Sequence, residues 1–522
     1  MCSLHAQPGY DGIRKVVLIE PRAPGFHVFS KFKLPRLGLP LLGAVLVDKG
    51  IEVKIYVQEV AKIDWGEVAT ADLVGISTVT PTAPVAYDLI ERIKASSDIP
   101  VVLGGPHVSF LADEALAAGA DFVVRGEGEE TFVELIEQLS AGEGELSDIE
   151  GLSYHDGDGF RHNPDRERVK DLTALPWPDL TLIEGFERFK VIPLQTSRGC
   201  PYDCKFCSVT SMFGRRYRFR DTDDVIAELE VLCERQPNRT VFFYDDNFTA
   251  SPSHTKELLR KMKEKGLTQR WMAQARVEVV EDLELMELMR DTNCKNLFLG
   301  VESINPATLE AFRKSQTVDD IRRAVEVLHQ YKIRVHGMFV LGSDEDDKQT
   351  IRDTVRFARK SGIDTVQFLV LTPLPGTETY DELCSEGRIF VDDWSKFSGH
   401  HVVYEPAKMS PFKLQKEIGL KAMRRFYSVF QCWKLGMSFR WKDMAISIYA
   451  HHTITRWKSM NRYYISELKH RYKAERQASK AEKAHSKQEQ MDRERLELPA
   501  QAEVASGRME LAGDRGGTGR AR

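Results

Sequence analysis

The chain has 522 residues, 73 Lys and Arg against 78 Asp and Glu, a formal net charge of −5 at pH 7, and 42% hydrophobic residues. That length predicts roughly two to four domains with proper cores, and the near-balance of charge excludes a protein built to coat nucleic acid. Met1–Gln7 has no charged stretch ahead of an apolar run, and the most apolar early segment, Leu37–Val47, is too short to span a bilayer and contains Pro40. Neither a secretory leader nor an early membrane span is expected, and the chain reads as cytoplasmic, where thiols stay reduced.

Residues 1–140 alternate short β-rich runs with helical patterns. The strand candidates are Val16–Glu20, Glu52–Tyr56, Leu73–Ser77, Pro100–Leu103 and Asp121–Val124, and helical spacing fills the gaps at Leu39–Lys49, Ala83–Ala95, Leu111–Ala118 and Glu129–Leu139. Continuous apolar strands separated by helices predict a parallel sheet covered on both faces. Five such units suggest a flavodoxin-like doubly wound domain, which binds ligands beyond the carboxyl ends of its strands. Gly104-Gly105-Pro106-His107 follows the fourth strand, and its paired glycines make a tight turn or let a bulky ligand approach the backbone.

A connector is expected over 141–189, with a hairpin around His155–Phe160 and a proline-marked stretch at Leu175–Asp179. Over 190–400 the strand–helix alternation resumes. Its strands are Val191–Thr196, Thr240–Asp245, Trp271–Val277, Asn296–Glu302, Arg334–Leu341 and Thr365–Leu371, with helices such as Asp223–Glu234, Ser253–Lys265, Val318–Tyr331 and Asp347–Ser361 between them. Six parallel units with right-handed crossovers curl into a partial (β/α)6 barrel, whose site belongs at the carboxyl ends of the strands.

Directly after the first of these strands comes Arg198-Gly-Cys-Pro-Tyr-Asp-Cys-Lys-Phe-Cys207. The C-x3-C-x2-C spacing gathers three thiols on one loop, and thiolates hold iron–sulfur clusters. Three ligands for a four-iron cube leave one iron open. A structural zinc site would close with four ligands, and no further Cys or His lies between Cys207 and Cys233. The remaining cysteines (Cys2, Cys233, Cys294, Cys384, Cys432) are scattered and predict no disulfide framework. Asp245, Asp246, Gln274, Glu302 and Pro373 fall at or just beyond the ends of their strands, on the same rim.

Residues 401–473 form a helical C-terminal region. Met409–Phe430 reads as an amphipathic helix, and Trp433–Tyr472 mixes Trp441, Tyr449, Trp457, Tyr463 and Tyr464 with lysines and arginines. Such a composition suits a peripheral membrane contact or helices packed on the barrel with solvated basic faces. From Ala474 to Arg522 the chain is charged and then Gly/Arg-rich, and no packed structure is expected there.

With cysteine loop, partial barrel and preceding doubly wound domain together, residues 14–400 resemble the cobalamin-binding subgroup of radical S-adenosylmethionine (SAM) enzymes. The resemblance implies that Cys200, Cys204 and Cys207 hold a 4Fe–4S cluster whose open iron chelates SAM. Phe206 would lie near the adenine, Glu302 and Ser303 of Gly300-Val-Glu302-Ser303 near the cosubstrate, and Gln274 and Arg276 along its pocket. Gly337–Gly342 resembles the family's fifth strand and Thr372-Pro-Leu-Pro-Gly376 its sixth-strand exit. Gly104 and Gly105 would face cobalamin.

One departure stands out. The loop Glu20-Pro-Arg-Ala-Pro-Gly-Phe-His-Val-Phe29 lacks the Asp-x-His-x-x-Gly motif that gives many cobalamin domains an axial histidine, and neither His27 nor His107 is assigned that role.

The activity implied is methylation of an unactivated carbon of a small-molecule or lipid-like substrate through a 5′-deoxyadenosyl radical, fed by an electron donor such as a flavodoxin or ferredoxin. Oxidative cyclisation or rearrangement stays open beside it. A non-catalytic iron–sulfur module that binds nucleic acid or a partner stays open too, through the basic aromatic run Arg215-Arg-Tyr-Arg-Phe-Arg220. Solvation of that run, or contact with anionic groups near the site, is the plainer expectation.

Overall fold

The strand Lys15–Glu20 (β1) carries Val-Val-Leu-Ile in succession, and all four side chains are buried. An apolar run of this kind is stable only with both sheet faces covered. The computed structural model, which describes residues 12–25, 33–142, 144–157 and 159–497 (side chains to 493), places β1 inside a seven-stranded sheet. Its other strands are Glu52–Val57 (β2), Leu73–Ser77 (β3), Val101–Gly104 (β4), Phe122–Val124 (β5), Leu152–His155 (β6) and Phe160–His162 (β7).

The order is β2-β1-β3-β4-β5-β6-β7, with the first five parallel and the last two antiparallel. The chain moves from β1 outward to β2 and then crosses back to β3. That switch opens a crevice beyond the carboxyl ends of β1 and β3. The expected hairpin around His155–Phe160 supplies β6 and β7, so the sheet runs on into the stretch read as connector.

The second sheet has six parallel strands in strict chain order: Val191–Leu194 (β8), Thr240–Phe243 (β11), Trp271–Ala275 (β12), Cys294–Glu302 (β13), Arg334–Leu341 (β14) and Thr365–Val370 (β15). Two short strands, Ser197–Arg198 (β9) and Arg218–Phe219 (β10), pair antiparallel above β8. Sequential order with a helix after each strand is what a partial barrel requires. Its core is aromatic: Phe243 stacks on Phe248 at 4.4 Å, and fully buried Trp271 donates its indole N–H to Thr292 Oγ1 at 3.2 Å.

The two sheets meet through buried charge. Arg198, two residues before the first loop cysteine, donates to Glu127 at 3.1 Å, in the loop after β5, and to Glu129 at 2.7 Å, the first residue of the helix Glu129–Ala141. Arg218 donates to Glu127 at 2.7 and 2.8 Å. Burial raises the Glu127 carboxyl, and the hydrogen bonds from Arg218 with the Arg198 charge outweigh it, leaving the group below the usual carboxylate range. A second joint forms where Trp394 donates its indole N–H to both oxygens of Glu114, at 2.8 and 2.9 Å.

Part of the run Arg215–Arg220 is taken up by such contacts. Arg218 and Arg220 are buried, the latter pairing with Asp224 at 2.6 Å and Glu228 at 2.5 Å. Arg215 and Arg216 stay exposed, Arg215 pairing with Asp203 at 2.5 Å.

Met409–Phe430 is not one α-helix. Pro411–Gln415 runs into a π-helical stretch, Lys416–Ala422, then Met423–Phe426, and the chain breaks before Val429–Met437. Buried Gln415 supports this irregular stretch by accepting from Val402 N and donating to His400 O. The described residues form one compact unit up to Asn461 and a second from Arg462 onward. Within the second, Arg462–Glu497 is a single helix, and its side chains from Ala474 to Arg493 are exposed. Its Ala, Glu, Lys, Arg and Gln are strong helix formers, and i,i+4 pairs such as Arg471–Glu475 at 3.1 Å add support. Residues 498–522 lie outside those described. Among the described residues, no helix is long and apolar enough to cross a membrane.

Candidate active site

The cysteine loop leaves the carboxyl end of β8, and the β9–β10 ribbon closes its base by pairing Arg198 with Arg218. Gly199 makes the entry possible. It has φ +88°, and a Cβ there would lie 2.7 Å from Arg216 O and 2.9 Å from Gly214 O. Cys200 N donates to Gly214 O and Cys207 N to Cys204 O, which folds the three thiols into one neighbourhood.

Burial raises all three thiols, Cys207 up to about 12. Holding thiolates here needs compensating positive charge, which cluster irons supply on binding. Among the described residues, no group of three or more His, Cys, Asp or Glu side chains is gathered about a single ion. A cubane asks for the looser arrangement, because each cysteine ligates a different iron. The donor set fits such a cluster.

Around the loop stand side chains from successive strand ends. Arg276, after β12, lies 3.8 Å above the Tyr202 ring and is held by Glu278 at 2.6 Å. Gln274 donates to Asp245 O at 3.2 Å. Phe206 packs against Phe312 with ring centroids 4.7 Å apart. Glu302 ends β13 at a register shift against β14 and adopts φ +59°. This left-handed bend, uncommon for a non-glycine residue, turns its carboxylate back over Gly300 to meet Lys314 Nζ at 3.0 Å. A Cβ on Gly300 would stand 2.7 Å from that carboxylate. Ser303 is buried and accepts from Asn305 N at 3.0 Å.

Asp245 is fully buried, accepts from Thr196 N and Ser197 Oγ, and burial pushes it up to about 6. Asp246 keeps an exposed side chain toward the cavity, and crowding by the surrounding chain and then the neighbouring Asp245 charge raise its carboxyl, an effect that water at the exposed side weakens.

Asp246 also lines a large cavity at the crevice between the two sheets. Counting its open mouth, the cavity holds about 1360 Å³ of space free of atoms. Gly104, Gly105, Gly126 and Gly128 form one edge, Leu37–Leu42 and Val102–Leu103 contribute apolar wall, and Gln195, Arg198, Met212, Phe213 and Tyr244 close it from the barrel side. A Cβ at Gly126 would meet nothing within 4 Å, so bare backbone faces the space. An apolar cleft of this size with a glycine edge fits a corrin ring.

His107 does not line the cavity. It is buried, with Nε2 3.7 Å from Glu114 and its ring 5.1 Å from Trp394. His27 lies outside the described residues. Gly105 sustains the turn, with φ +97° and a would-be Cβ 2.4 Å from Thr78 O. Gly105→Ala is expected to cost about 3 kcal/mol in chemical denaturation and to lower corrinoid retention.

The structure thus brings Phe206, Gln274, Arg276, Glu302 and Ser303 to the rim that bears the three cysteines, and Gly104 and Gly105 to the adjoining cavity. Sequence reasoning missed Lys314, the partner of Glu302, and Tyr202, the ring beneath Arg276. Lys314 follows a helix, with no spacing signal toward Glu302. Tyr202 sits inside the motif, where an aromatic two residues after the first cysteine was the available hint.

A doubly wound domain thus precedes a partial barrel with a cysteine loop at its mouth. Residues 194–358 match the Radical SAM superfamily and residues 29–136 the B12 binding domain. The chain is 31% identical over 378 residues to an uncharacterised methyltransferase of Pyrococcus horikoshii, covering 70% of this chain and 82% of that one. It is 29% identical to the bacteriochlorophyllide d C-12(1)-methyltransferase of Chlorobaculum tepidum, covering 79% and 87%. Among solved structures it resembles the radical SAM methyltransferase TsrM of Kitasatospora setae, with TM-score 0.61, 22% identity, and coverage of 72% and 76%.

The chain belongs to the cobalamin-binding-domain radical SAM family. Its cofactors are a 4Fe–4S cluster, SAM and cobalamin.

Proposed function

We propose that the chain methylates an unactivated carbon of a small-molecule or lipid-like substrate. In this reading Cys200, Cys204 and Cys207 hold the cluster, Phe206, Gln274, Arg276, Glu302 and Ser303 surround SAM, and Gly104 and Gly105 border the corrin. When bound, these groups supply the electron that cleaves SAM and the methyl group that is transferred. The observation that carries the reading is the single cavity in which the Gly104–Gly105 edge and Asp246 of the barrel face the same space. A substrate held there would lie between both cofactors.

The chain's own residues do the rest. Arg276 and the Glu302–Lys314 pair fix charge at the mouth, and the buried joints at Arg198 and Trp394 hold the two sheets together over it, which keeps water from a reactive radical. An external one-electron donor of flavodoxin or ferredoxin type, a cytoplasmic setting and peripheral membrane contact complete the proposal. A bacteriochlorophyllide methyltransferase among the relatives favours a large, apolar substrate.

Anaerobically reconstituted protein tests the reaction. Methylation is expected to yield S-adenosylhomocysteine together with 5′-deoxyadenosine. 5′-Deoxyadenosine alone would make the chain a cyclase or rearrangement enzyme, and protein that binds iron and sulfide but no corrinoid would overturn the methylation mechanism.

A further inference from the structure

Large apolar side chains left in solvent are scattered singly over most of the described residues, but not at the C-terminal end of the first unit. Eight of the fourteen lie in residues 429–448. The helix Val429–Met437 uses two faces. Leu435 points inward and is buried, while Phe430, Trp433 and Met437 repeat at i, i+3 and i+7 along the outer side. With Val429, Phe439 and Trp441 they are 57 to 80% exposed. They form a continuous patch. The Phe430 and Trp433 rings are 6.0 Å apart, those of Phe439 and Trp441 are 6.1 Å apart, and Trp441 lies against Gly436 between the pairs.

Phe439 is the most telling member. Ser438, Phe439 and Arg440 donate their N–H groups to Lys434 O, Gly436 O and Leu435 O, closing the helix with a left-handed residue at Phe439, φ +56°. That position is ordinarily glycine, because a side chain there is strained. Here a phenylalanine takes the strain and is the most exposed large apolar side chain described, at 80%. Strain at an exposed aromatic points to a use for the ring.

Beside the patch runs a groove lined by Arg352, Arg356, Arg359, Lys360, Arg425 and Lys434, with Val355 and Gln431 and no carboxylate. Arg356 and Arg425 each have one acidic partner, Asp353 and Glu417. Lys434 belongs to the same helix as the aromatic stripe, so charge and apolar surface share one edge. Aromatic side chains beside a row of cations match the headgroup zone of an anionic bilayer, where rings settle at the interface and phosphates meet the cations.

We propose that this hairpin edge, residues 429–441 with the Arg352–Lys360 groove, docks the protein on an anionic lipid surface. The proposal deepens the peripheral membrane contact proposed above and rests on that contact, not on the methylation chemistry. Orientation follows from the anchors. Arg440 pairs with Asp364 at 3.1 Å and Asp443 pairs with Arg334, and these partners lie at the amino ends of β15 and β14. The docking edge is therefore at the end of the barrel opposite the cysteine loop. Docking tethers the enzyme while the catalytic mouth stays open to the aqueous side.

Co-sedimentation of the full-length, reconstituted protein tests this, using phosphatidylcholine vesicles with and without about one-third phosphatidylglycerol. Binding is expected to be at least about tenfold tighter to the anionic vesicles, and to weaken with salt. The double variant F430S/W433S should lose at least about tenfold in affinity. F439G separates binding from folding, because glycine suits the left-handed position: its thermal midpoint should hold or rise while vesicle affinity falls. R352E/K360E should abolish the preference for anionic lipid.

The proposal is overturned if the wild type ignores anionic vesicles, or if F439G and F430S/W433S bind as the wild type does. It is equally overturned if the wild type is a dimer that F430S/W433S converts to monomer, since a second copy would then own the patch. None of these readouts needs turnover, so a failed methylation assay leaves this test intact.

Discussion

Replacing any one of Cys200, Cys204 and Cys207 by serine is expected to leave a folded chain that retains no cluster and forms no 5′-deoxyadenosine. The loop is built from backbone: Cys200 N to Gly214 O, Cys207 N to Cys204 O, and the β9–β10 ribbon beneath, none of which uses a thiol. Stability should therefore change little. The cluster, however, has only three protein ligands on this loop, and an alcohol stays protonated where a thiol can yield its proton to iron. Losing partners that merely orient ligands costs about 10- to 100-fold, so losing a ligand should cost at least about 100-fold in SAM cleavage. Iron and sulfide analysis beside a 5′-deoxyadenosine assay reads both effects. A serine variant with a full complement of iron and sulfide would sink the ligand assignment.

Arg198→Met is expected to give the largest loss of stability of any single change at the joint between the sheets. Arg198 alone bridges Glu127 and Glu129, and all three side chains are no more than 8% exposed. Removing the cation leaves buried Glu129 without its cationic partner and Glu127 with Arg218 alone, and breaking a buried pair in this way typically costs about 3–5 kcal/mol. Arg198→Lys keeps the charge but loses the two-pronged fork, and should cost about 1–2 kcal/mol. Chemical denaturation measures both, and the Met variant should also release corrinoid, because Arg198 lines the cavity.

The joint also gives a pH signature. Glu127 is held below the usual carboxylate range in the folded state. Its stabilisation is therefore complete above its unfolded pKa, and is lost as pH falls through the depressed folded value. Acid should loosen the joint from about pH 4 downward, and Glu127→Gln should flatten that part of the profile. An unchanged profile in the Gln variant would assign the acid sensitivity elsewhere.

The strands were legible because their signal is local. Val-Val-Leu-Ile in β1 and the apolar runs of β8 and β11 to β15 need no partner in sequence to declare themselves, and alternation with helices points to parallel strands joined by right-handed crossovers. The cysteine loop was legible for the same reason, since its chemistry lies within eight residues, Cys200 to Cys207.

Other features depend on neighbours far along the chain. The π-helical stretch Lys416–Ala422 is supported by Gln415 hydrogen bonds to Val402 and His400, and nothing in an amphipathic pattern announces it. The helix Arg462–Glu497 continues past Ala474 because its residues there favour helix without needing a core, a signal separate from the lack of apolar residues.

By itself, then, the sequence determined the two parallel sheets, the placement of three thiols at the mouth of the second, and the glycine pair at the edge of the first. Each follows from residue types within one turn or one strand of each other. Only the tertiary structure decided how the halves meet. Arg198 finds Glu127 and Glu129 across 71 and 69 residues, and Glu302 reaches Lys314 by adopting a left-handed backbone that no propensity favours. The same holds for the outward aromatic edge at 429–441, part of a stretch whose composition left open a membrane contact beside the plainer reading of helices packed on the barrel. Burial is a property of the folded whole, and the choice between those two was made by which helix face the barrel covered.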